Sequence, residues 1–410
     1  MDVMLLFLGI GLIIIFGYFA EHLYRRTGVP DVLLLLLIGV LIGPIGVGIV
    51  DATMLVGAAT AFTTFVLLFL LFDGAFNLDL SSFARGLSKG TSVALYHFTL
   101  SSMVTSGVML LFGYDFFTSL LVGFALGGIS SAFVIPILRS IQGQPKAGSA
   151  LTLESAFTDV LCIVFSLAVV DIITISAFSA QNVFSNIVQL FAVAGLIGVF
   201  AGFLWIFIHN KLLQGEKFYM LTIAYVLILF VVTEWIGGNG AIAALSFGLV
   251  LKNSRVLSDL VTQIATRKAP LEHAPHAVSK DEIFFYEQIA FLLKTFFFVY
   301  IGVLIPFNNF SVVLIGTVIA LGAFITRRLI VLILRGEPKS DQQLITSVFG
   351  RGLAPAAIAQ LAVTQGAIPA GMAADVVGII YVAIFATILF SSAQVYQFVR
   401  THAKEEPTAQ

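Results

Sequence analysis

Two carboxylates, Glu154 and Asp159, stand five residues apart in the apolar segment ESAFTDVLCIVFSLAVV, which runs from residue 154 to residue 170. A charge near the middle of a bilayer costs about 2.5–3.5 kcal/mol on insertion scales, so each acid is expected to be paired or to face water. At about 100° of rotation per residue, the two side chains lie about 140° apart around a helix. They are therefore not predicted to act as a coupled pair of acids.

The two acids are also predicted to lie at different depths in the membrane. Glu154 is about 9 Å from the inner, cytoplasmic end of a predicted membrane span at residues 148–174. Arg327 is about 10 Å from the inner end of another predicted span at residues 310–334, so an ion pair between them is feasible. Asp159 is about 16 Å deep, close to the middle. We interpret Glu154 as half of a structural ion pair and Asp159 as the carboxylate that is free to titrate. The alternative for Asp159 is an acid that is never ionised and is hydrogen-bonded to a neighbouring helix.

Other polar residues within the apolar segments have less specific interpretations. Lys294 either approaches Asp159 in depth or extends its amine to the cytoplasmic interface, and we prefer the second interpretation. Arg351 is expected to bind backbone carbonyls, and Arg328 to reach the interface. For His97, a packing role is preferred over a proton relay. The sequence contains no His, Cys and carboxylate cluster with the spacing of a metal enzyme and no HExxH, GxSxG or Walker-type motif.

The composition is that of a membrane protein, with 59% hydrophobic and 10% charged residues, whereas soluble domains have about 25% charged residues. The sequence has no basic block that suggests nucleic-acid binding. Its single cysteine, Cys162, excludes an intrachain disulfide. The N-terminal apolar segment begins with an acidic residue rather than a basic region, so we expect a retained first span rather than a signal peptide.

An all-α polytopic membrane protein is therefore predicted. A span needs about 20 residues, and we place thirteen, near residues 3–20, 31–50, 53–75, 90–113, 116–138, 148–174, 183–209, 218–236, 239–252, 284–305, 310–334, 343–365 and 374–397. Lys and Arg concentrate in the loops on one side of this arrangement. The distribution predicts a multi-pass protein of the cell membrane with the N-terminus outside and the C-terminus in the cytoplasm.

Two of the spans are predicted to be broken. Span five reads GGISSAFVIPIL and contains Ser130, Ser131 and Pro136, and span twelve reads FGRGLAPAAIAQ around Arg351. Glycine tolerates unwinding, and proline removes an amide donor and frees a carbonyl. Two ordinary kinks are one interpretation. We prefer an inverted repeat that brings the breaks face to face, where carbonyls, helix dipoles and the two serine hydroxyls ligate a cation.

The longest loop and the tail are expected to lie on the cytoplasmic side. Residues 253–282 carry apolar side chains at helical spacing among basic residues, which predicts a helix on the inner membrane interface. A role of this loop in gating is the alternative. Residues 398–410 are expected to form a short cytoplasmic tail.

These features together resemble the monovalent cation–proton antiporter superfamily, and most closely the NhaP-type sodium–proton exchangers, over nearly the whole chain. Thirteen spans with a cytoplasmic C-terminus are that family's arrangement. The segments that carry the resemblance are LLFDGAFNLDL at residues 70–80, ESAFTD at 154–159, TRRLIVLIL at 326–334 and GRGLAPAA at 350–357.

The resemblance implies roles for individual residues. Asp159 binds the cation or the proton with Ser155 as a co-ligand, Glu154 pairs with Arg327, and Asp73 lies on the cytoplasmic approach. It also implies a homodimer in which residues 1–75 and 183–305 form a dimerisation scaffold, and residues 90–174 and 310–397 form a moving, ion-transporting core.

The sequence departs from the family pattern at two places. Ser130, Ser131 and Ala132 stand where the family usually has Thr-Asp-Pro, and the serine pair resembles the Kef-type potassium-efflux branch. Thr158 stands where sodium–proton exchangers usually have asparagine. Thr158, Ser130 and Ser131 join Asp159 and Ser155 as candidate ligands, while Arg351 and Pro136 are expected to support the broken helices.

The expected function is transport rather than catalysis, without a cofactor. Proton and cation compete for Asp159, so the simplest stoichiometry is an electroneutral exchange of one Na+ or Li+ for one proton across the lipid bilayer. Hydroxyl groups in place of a second carboxylate leave the choice between Na+ and K+ open. The alternatives are a K+/H+ antiporter, a Kef-like K+ efflux protein and a cation channel. An intramembrane hydrolase lacks a catalytic pair.

Overall fold

The computed structural model describes residues 3–27, 29–50, 52–76, 89–141, 145–174, 180–211, 219–254 and 280–402. Within these ranges the chain is helical and contains no strand, which confirms the predicted all-α class for this part of the protein. Its fifteen α-helices are α1 Val3–Thr27, α2 Asp31–Ile42, α3 Ala52–Ala75, α4 Lys89–Leu111, α5 Phe116–Ala125, α6 Ser131–Ser140, α7 Pro145–Thr174, α8 Ala180–Lys211, α9 Tyr219–Trp235, α10 Gly240–Lys252, α11 Lys280–Leu304, α12 Phe310–Leu329, α13 Lys339–Ser347, α14 Leu353–Thr364 and α15 Ala370–His402. A single turn of 3-10 helix, Ile330–Leu332, follows α12.

Seven helices in the described part of the chain are long and apolar enough to cross a membrane by their length and composition. They are α1, α4, α7, α8, α11, α12 and α15. Six shorter apolar helices accompany them, among them α2, α5, α9, α10 and α14. The protein is therefore a multi-span membrane protein, and the number of thirteen spans and their orientation stay predictions.

The helix boundaries differ from the predicted spans in instructive places. The second span was predicted over residues 31–50, but α2 ends at Ile42, because Gly43 adopts an extended conformation and Pro44 follows it. At the C-terminus, α15 continues to His402 and includes the first residues of the predicted tail. Most of the predicted interfacial loop, residues 255–279, and the end of the tail, residues 403–410, lie outside the described residues.

The chain divides into two compact units. The first comprises Met1–Thr64, Lys89–Thr174 and Leu292–Gln410, and the second comprises Phe65–Ser88 and Ile175–Phe291. This division describes compactness alone. The predicted separation into a dimerisation scaffold and a moving core stays a prediction.

In the first unit, α4, α5 and α7 pack against one another, and α12 packs along α15. Phe98, Phe124 and Phe165, one from each of the first three helices, form an aromatic cluster with ring centroids 5.1–6.0 Å apart. Glycines permit the close approaches. A Cβ atom on Gly316 of α12 would lie 2.7 Å from Val382 of α15. This packing fixes the frame in which α7 presents its polar residues.

The second unit is built around α8 and α10, which make extensive contact, with α9 packed on α10. A Cβ atom on Gly202 of α8 would lie 2.7 Å from the side chain of Val250, so the two helices touch because this position is a glycine. Phe72 stacks on Phe247 and packs edge-on against Tyr286. These three rings form an aromatic cluster in the core of this unit.

Candidate functional site

The helix predicted for span five is interrupted between α5 and α6. Residues 126–130 are not helical, and α6 begins at Ser131. The glycine pair Gly127 and Gly128 lies within this interruption, where the backbone closely approaches α7. A Cβ on Gly128 would lie 2.7 Å from the Cβ of Thr158 and 2.9 Å from the sulfur of Cys162. Pro136, which was expected to support the break, lies inside α6 and beyond the interruption.

A second interruption separates α13 from α14 at residues 348–352. The backbone N–H of Ser130 donates to the carbonyl of Gly350 at 3.0 Å. The side chain of Ser130 fills the space that a Cβ atom on Gly352 would need. The two interruptions are therefore in direct contact, and Pro355 lies in the first turn of α14, where its missing N–H removes no helical hydrogen bond.

Asp159 belongs to α7, and its carboxylate lies at the N-terminus of α6. Its Oδ2 accepts a hydrogen bond from the hydroxyl of Ser131 at 2.7 Å and from the backbone N–H of the same residue at 3.2 Å. The N-cap residue Ser130 makes no side-chain capping hydrogen bond, so the carboxylate of Asp159 takes that role from another helix. The positive end of a helix dipole and two donors thus stabilise negative charge at this carboxylate.

Neighbouring residues of α7 bind the rest of the interrupted segment. The hydroxyl oxygen of Thr158 accepts from the N–H of Ile129 at 3.1 Å, and the sulfur of Cys162 accepts from the N–H of Gly128 at 3.0 Å. The hydroxyl of Ser155 instead donates to the carbonyl of Thr152 in its own helix at 3.1 Å. The structure therefore brings Ser131 to Asp159, and uses Thr158 and Ser155 in backbone contacts.

Arg351 bridges the two interruptions. Its guanidinium donates to the carbonyl of Gly128 and, at 2.6 Å, to the hydroxyl of Ser101. Its backbone N–H donates to the hydroxyl of Thr387 at 3.2 Å. We expected Arg351 to bind carbonyls freed by a broken helix, and the carbonyl that it binds belongs to the other interruption. The roles of Ser101 and Thr387 had no signal in the sequence beyond their being polar.

Glu154 and Arg327 form a buried ion pair. Both guanidinium Nη atoms donate to the carboxylate, the second at 3.1 Å, and Nε donates to the carbonyl of Ile345 at 2.8 Å. Each side chain has at most 1% exposed surface. His97 completes the cluster, with its Nδ1 3.0 Å from Oε1 of Glu154. Sequence analysis missed this role, and the only signal for it was the position of His97 well inside a span.

Lys294 and Asp73 are two further charged residues within the predicted spans, and Lys294 makes no hydrogen bond to Asp159 in the described part of the chain. Lys294 donates to Oδ2 of Asp31, the first residue of α2, at 2.6 Å. The two interpretations of Lys294 from sequence did not include this partner. Asp73 lies in the last turn of α3 and belongs to the second compact unit. Its predicted place on the approach to Asp159 stays a prediction.

The described residues contain no group of three or more His, Cys, Asp or Glu side chains that could hold a metal ion. Asp159 and Ser131 instead offer carboxylate and hydroxyl oxygens. Hard cations prefer such oxygen ligands.

The sequence profile described as sodium/hydrogen exchanger, transmembrane, matches residues 11–394. The K(+)/H(+) antiporter NhaP2 of Shewanella oneidensis is 26% identical over 235 residues, which cover 56% of this chain and 40% of that protein. The chain thus matches only about two fifths of the length of that relative.

Two comparisons extend over nearly the whole chain. The Na(+)/H(+) antiporter 1 of Methanocaldococcus jannaschii is 26% identical over 424 residues, which cover 95% of this chain and 93% of that protein. The structure of the sodium proton antiporter MjNhaP1 from the same organism, at pH 8, has a TM-score of 0.75 and 22% identity, and covers 97% of this chain and 100% of that chain. The fold is therefore shared. Because the family profile matches residues 11–394, the protein belongs to the sodium/hydrogen exchanger family.

Proposed function

We propose that this protein exchanges one monovalent cation for one proton at Asp159. The observation that carries the proposal is the pair of hydrogen bonds from Ser131 to Oδ2 of Asp159 at the junction of two interrupted helices. Interrupted helices whose ends meet in this way are typical of substrate sites in secondary transporters. Family membership supports the same reaction type.

The geometry supports competition between proton and cation. Ser131 directs both of its donors to Oδ2, and no other described residue donates to this carboxylate. When a cation binds, the hydroxyl of Ser131 rotates its hydrogen away and offers an oxygen lone pair, while the backbone N–H stays in place. When a proton binds, it occupies the same carboxylate. One occupant excludes the other, and each neutralises the single charge of Asp159.

The other polar residues provide the frame of the site. Thr158 and Arg351 bind backbone groups of the first interruption, and we assign them to its support rather than to cation binding. Glu154 is neutralised by Arg327, so it does not contribute a second exchangeable charge. Because the cation-bound core and the proton-bound core carry the same charge, one complete exchange moves no net charge across the membrane and is electroneutral.

The cation is proposed to be Na+, with Li+ as a substitute. A relative that matches nearly the whole chain is named as a Na(+)/H(+) antiporter. K+ is the second candidate, because a relative that matches part of the chain is named as a K(+)/H(+) antiporter, and because Ser130 and Ser131 replace a more acidic pattern. We further propose that the protein is a homodimer in the cell membrane, with its N-terminus outside and residues 90–174 and 310–397 as the moving core.

Proton flux in proteoliposomes tests this proposal. A pH-sensitive dye inside the vesicles reports proton movement after addition of Na+, Li+ or K+ outside, at several imposed membrane potentials. We expect cation-driven proton flux that is independent of the potential, with Na+ and Li+ more effective than K+. Because the two ions compete, lowering the pH should raise the half-saturating Na+ concentration. At pH values below the pKa of Asp159, the rise should be about tenfold for each pH unit. A current proportional to the flux would contradict electroneutrality, and cation flux without proton movement would indicate a channel.

A further inference from the structure

All four backbone amides of the segment Gly128–Ser131 have identified acceptors. Three of these acceptors are side chains within a five-residue stretch of α7: Thr158, Asp159 and Cys162. The fourth is the carbonyl of Gly350 in the other interruption. The interrupted segment is thus held against one face of α7, and Asp159 is one of the three points of attachment.

Cys162 holds the end of the segment that is farthest from Ser131. Its thiol is buried, with 2% of the residue exposed, and accepts the N–H of Gly128 at 3.0 Å. The carbonyl of Gly128 is bound by Arg351, so both polar groups of this residue are fixed. A Cβ on Gly128 would approach the sulfur to 2.9 Å, which shows how closely the backbone lies on α7.

We propose that Cys162 is a positioning residue for exchange, which holds the interrupted segment on α7 so that Ser131 meets Asp159. The inference rests on the proposed function, and it adds a residue that does not contact the transported ion. Loss of the sulfur leaves the N–H of Gly128 buried without an acceptor. Relaxation of the segment then moves the hydroxyl of Ser131, three residues along the chain, away from Asp159, so that its oxygen no longer ligates the cation together with the carboxylate.

Two pairs of substitutions separate the acceptor from the volume of the side chain. Cys162→Ser supplies a hydroxyl acceptor that Cys162→Ala lacks. Cys162→Thr supplies one that the nearly isosteric Cys162→Val lacks. We expect Cys162→Ala and Cys162→Val to raise the half-saturating Na+ concentration about five- to tenfold, as for the loss of one hydrogen bond. Cys162→Ser and Cys162→Thr should each bind Na+ more tightly than their partner without an acceptor. Maximal flux should change less than the half-saturating concentration.

Ser166 provides a matched control. It lies four residues after Cys162 on α7, is fully buried, and has a hydroxyl without a hydrogen-bond partner in the described part of the chain. Ser166→Ala therefore removes an equally buried polar atom that holds no backbone group. We expect its half-saturating Na+ concentration to stay within about twofold of the unaltered protein.

The second readout is the shift in thermal unfolding temperature of the detergent-solubilised protein on addition of NaCl, with choline chloride as the reference salt. The shift should be reduced in Cys162→Ala and Cys162→Val and retained in Cys162→Ser and Ser166→Ala. Unchanged Na+ dependence in both variants without an acceptor would overturn the inference, as would equal losses in the serine and alanine variants. Absence of proton flux in the unaltered protein would overturn the proposed function instead, and the thermal shift would still test Cys162.

Discussion

The hydroxyl of Ser131 lies 2.7 Å from Oδ2 of Asp159, and the backbone N–H of Ser131 donates to the same oxygen. The first residue of one half-helix is therefore bound by the carboxylate of another helix. In the proposed exchange a cation at Asp159 competes with the hydroxyl donor of Ser131, so we expect the state of the carboxylate to depend on the position of α6. On this proposal, ion binding is connected to a movement of the broken helix.

Removal of the Ser131 hydroxyl should weaken cation binding. Ser131→Ala deletes the hydroxyl oxygen that is proposed to offer a lone pair to the bound cation, so the ion loses one ligand beside Asp159. We expect the half-saturating Na+ concentration for proton flux to rise about tenfold or more. Ser131→Thr keeps the hydroxyl and serves as the control. Equal effects of the two substitutions would show that the hydroxyl is not the important group.

The Glu154–Arg327 ion pair should contribute strongly to the stability of the folded protein. Glu154→Gln leaves a buried guanidinium without its carboxylate, and breaking a buried pair costs about 3–5 kcal/mol. We expect a large decrease in the unfolding temperature of the solubilised protein. The control is Arg328→Gln, next along the chain, whose guanidinium is exposed and donates to Gln394 at 2.8 Å. That change should cost less than about 0.5 kcal/mol, and similar losses for both variants would contradict the structural role of the pair.

Contact between the two interruptions should tolerate no added volume. In Gly352→Ala the new methyl group collides with the side chain of Ser130, and overpacking of this kind costs about 1–3 kcal/mol. We expect a strongly reduced rate of proton flux at equal amounts of reconstituted protein. Gly107→Ala in α4 is the matched control, because nothing lies within 4 Å of its added Cβ. A Gly352→Ala variant as active as Gly107→Ala would contradict the proposed contact.

The part of the site that follows from single helices could be predicted from sequence. The opposite faces of Glu154 and Asp159 follow from helical rotation, and the pairing of Glu154 with Arg327 was feasible because their depths follow from the rise per residue. The interruptions were marked by their glycines, whereas the prolines lie inside the helices that follow them. These inferences need only the geometry of one helix at a time.

The remaining contacts depend on how helices distant in sequence pack together. His97 beside Glu154, Asp31 beside Lys294 and Cys162 beside Gly128 are separated by 57, 263 and 34 residues. No local pattern marks such partners. A local pattern also does not determine which partner a side chain binds. Helical rotation places Ser155 on the face of Asp159, whereas its hydroxyl donates to a carbonyl of its own helix.

The central claim is that Asp159 is the exchanging carboxylate, and Asp159→Asn tests it most directly. Asparagine has nearly the same shape, and its amide oxygen can still accept the N–H of Ser131, so the broken helix should be retained. The measurement is Na+-driven proton flux in proteoliposomes with equal amounts of unaltered and variant protein, after thermal unfolding has shown that the variant is folded. The account predicts flux in the unaltered protein and none above the level of empty liposomes in Asp159→Asn. Full flux in the folded variant would contradict it.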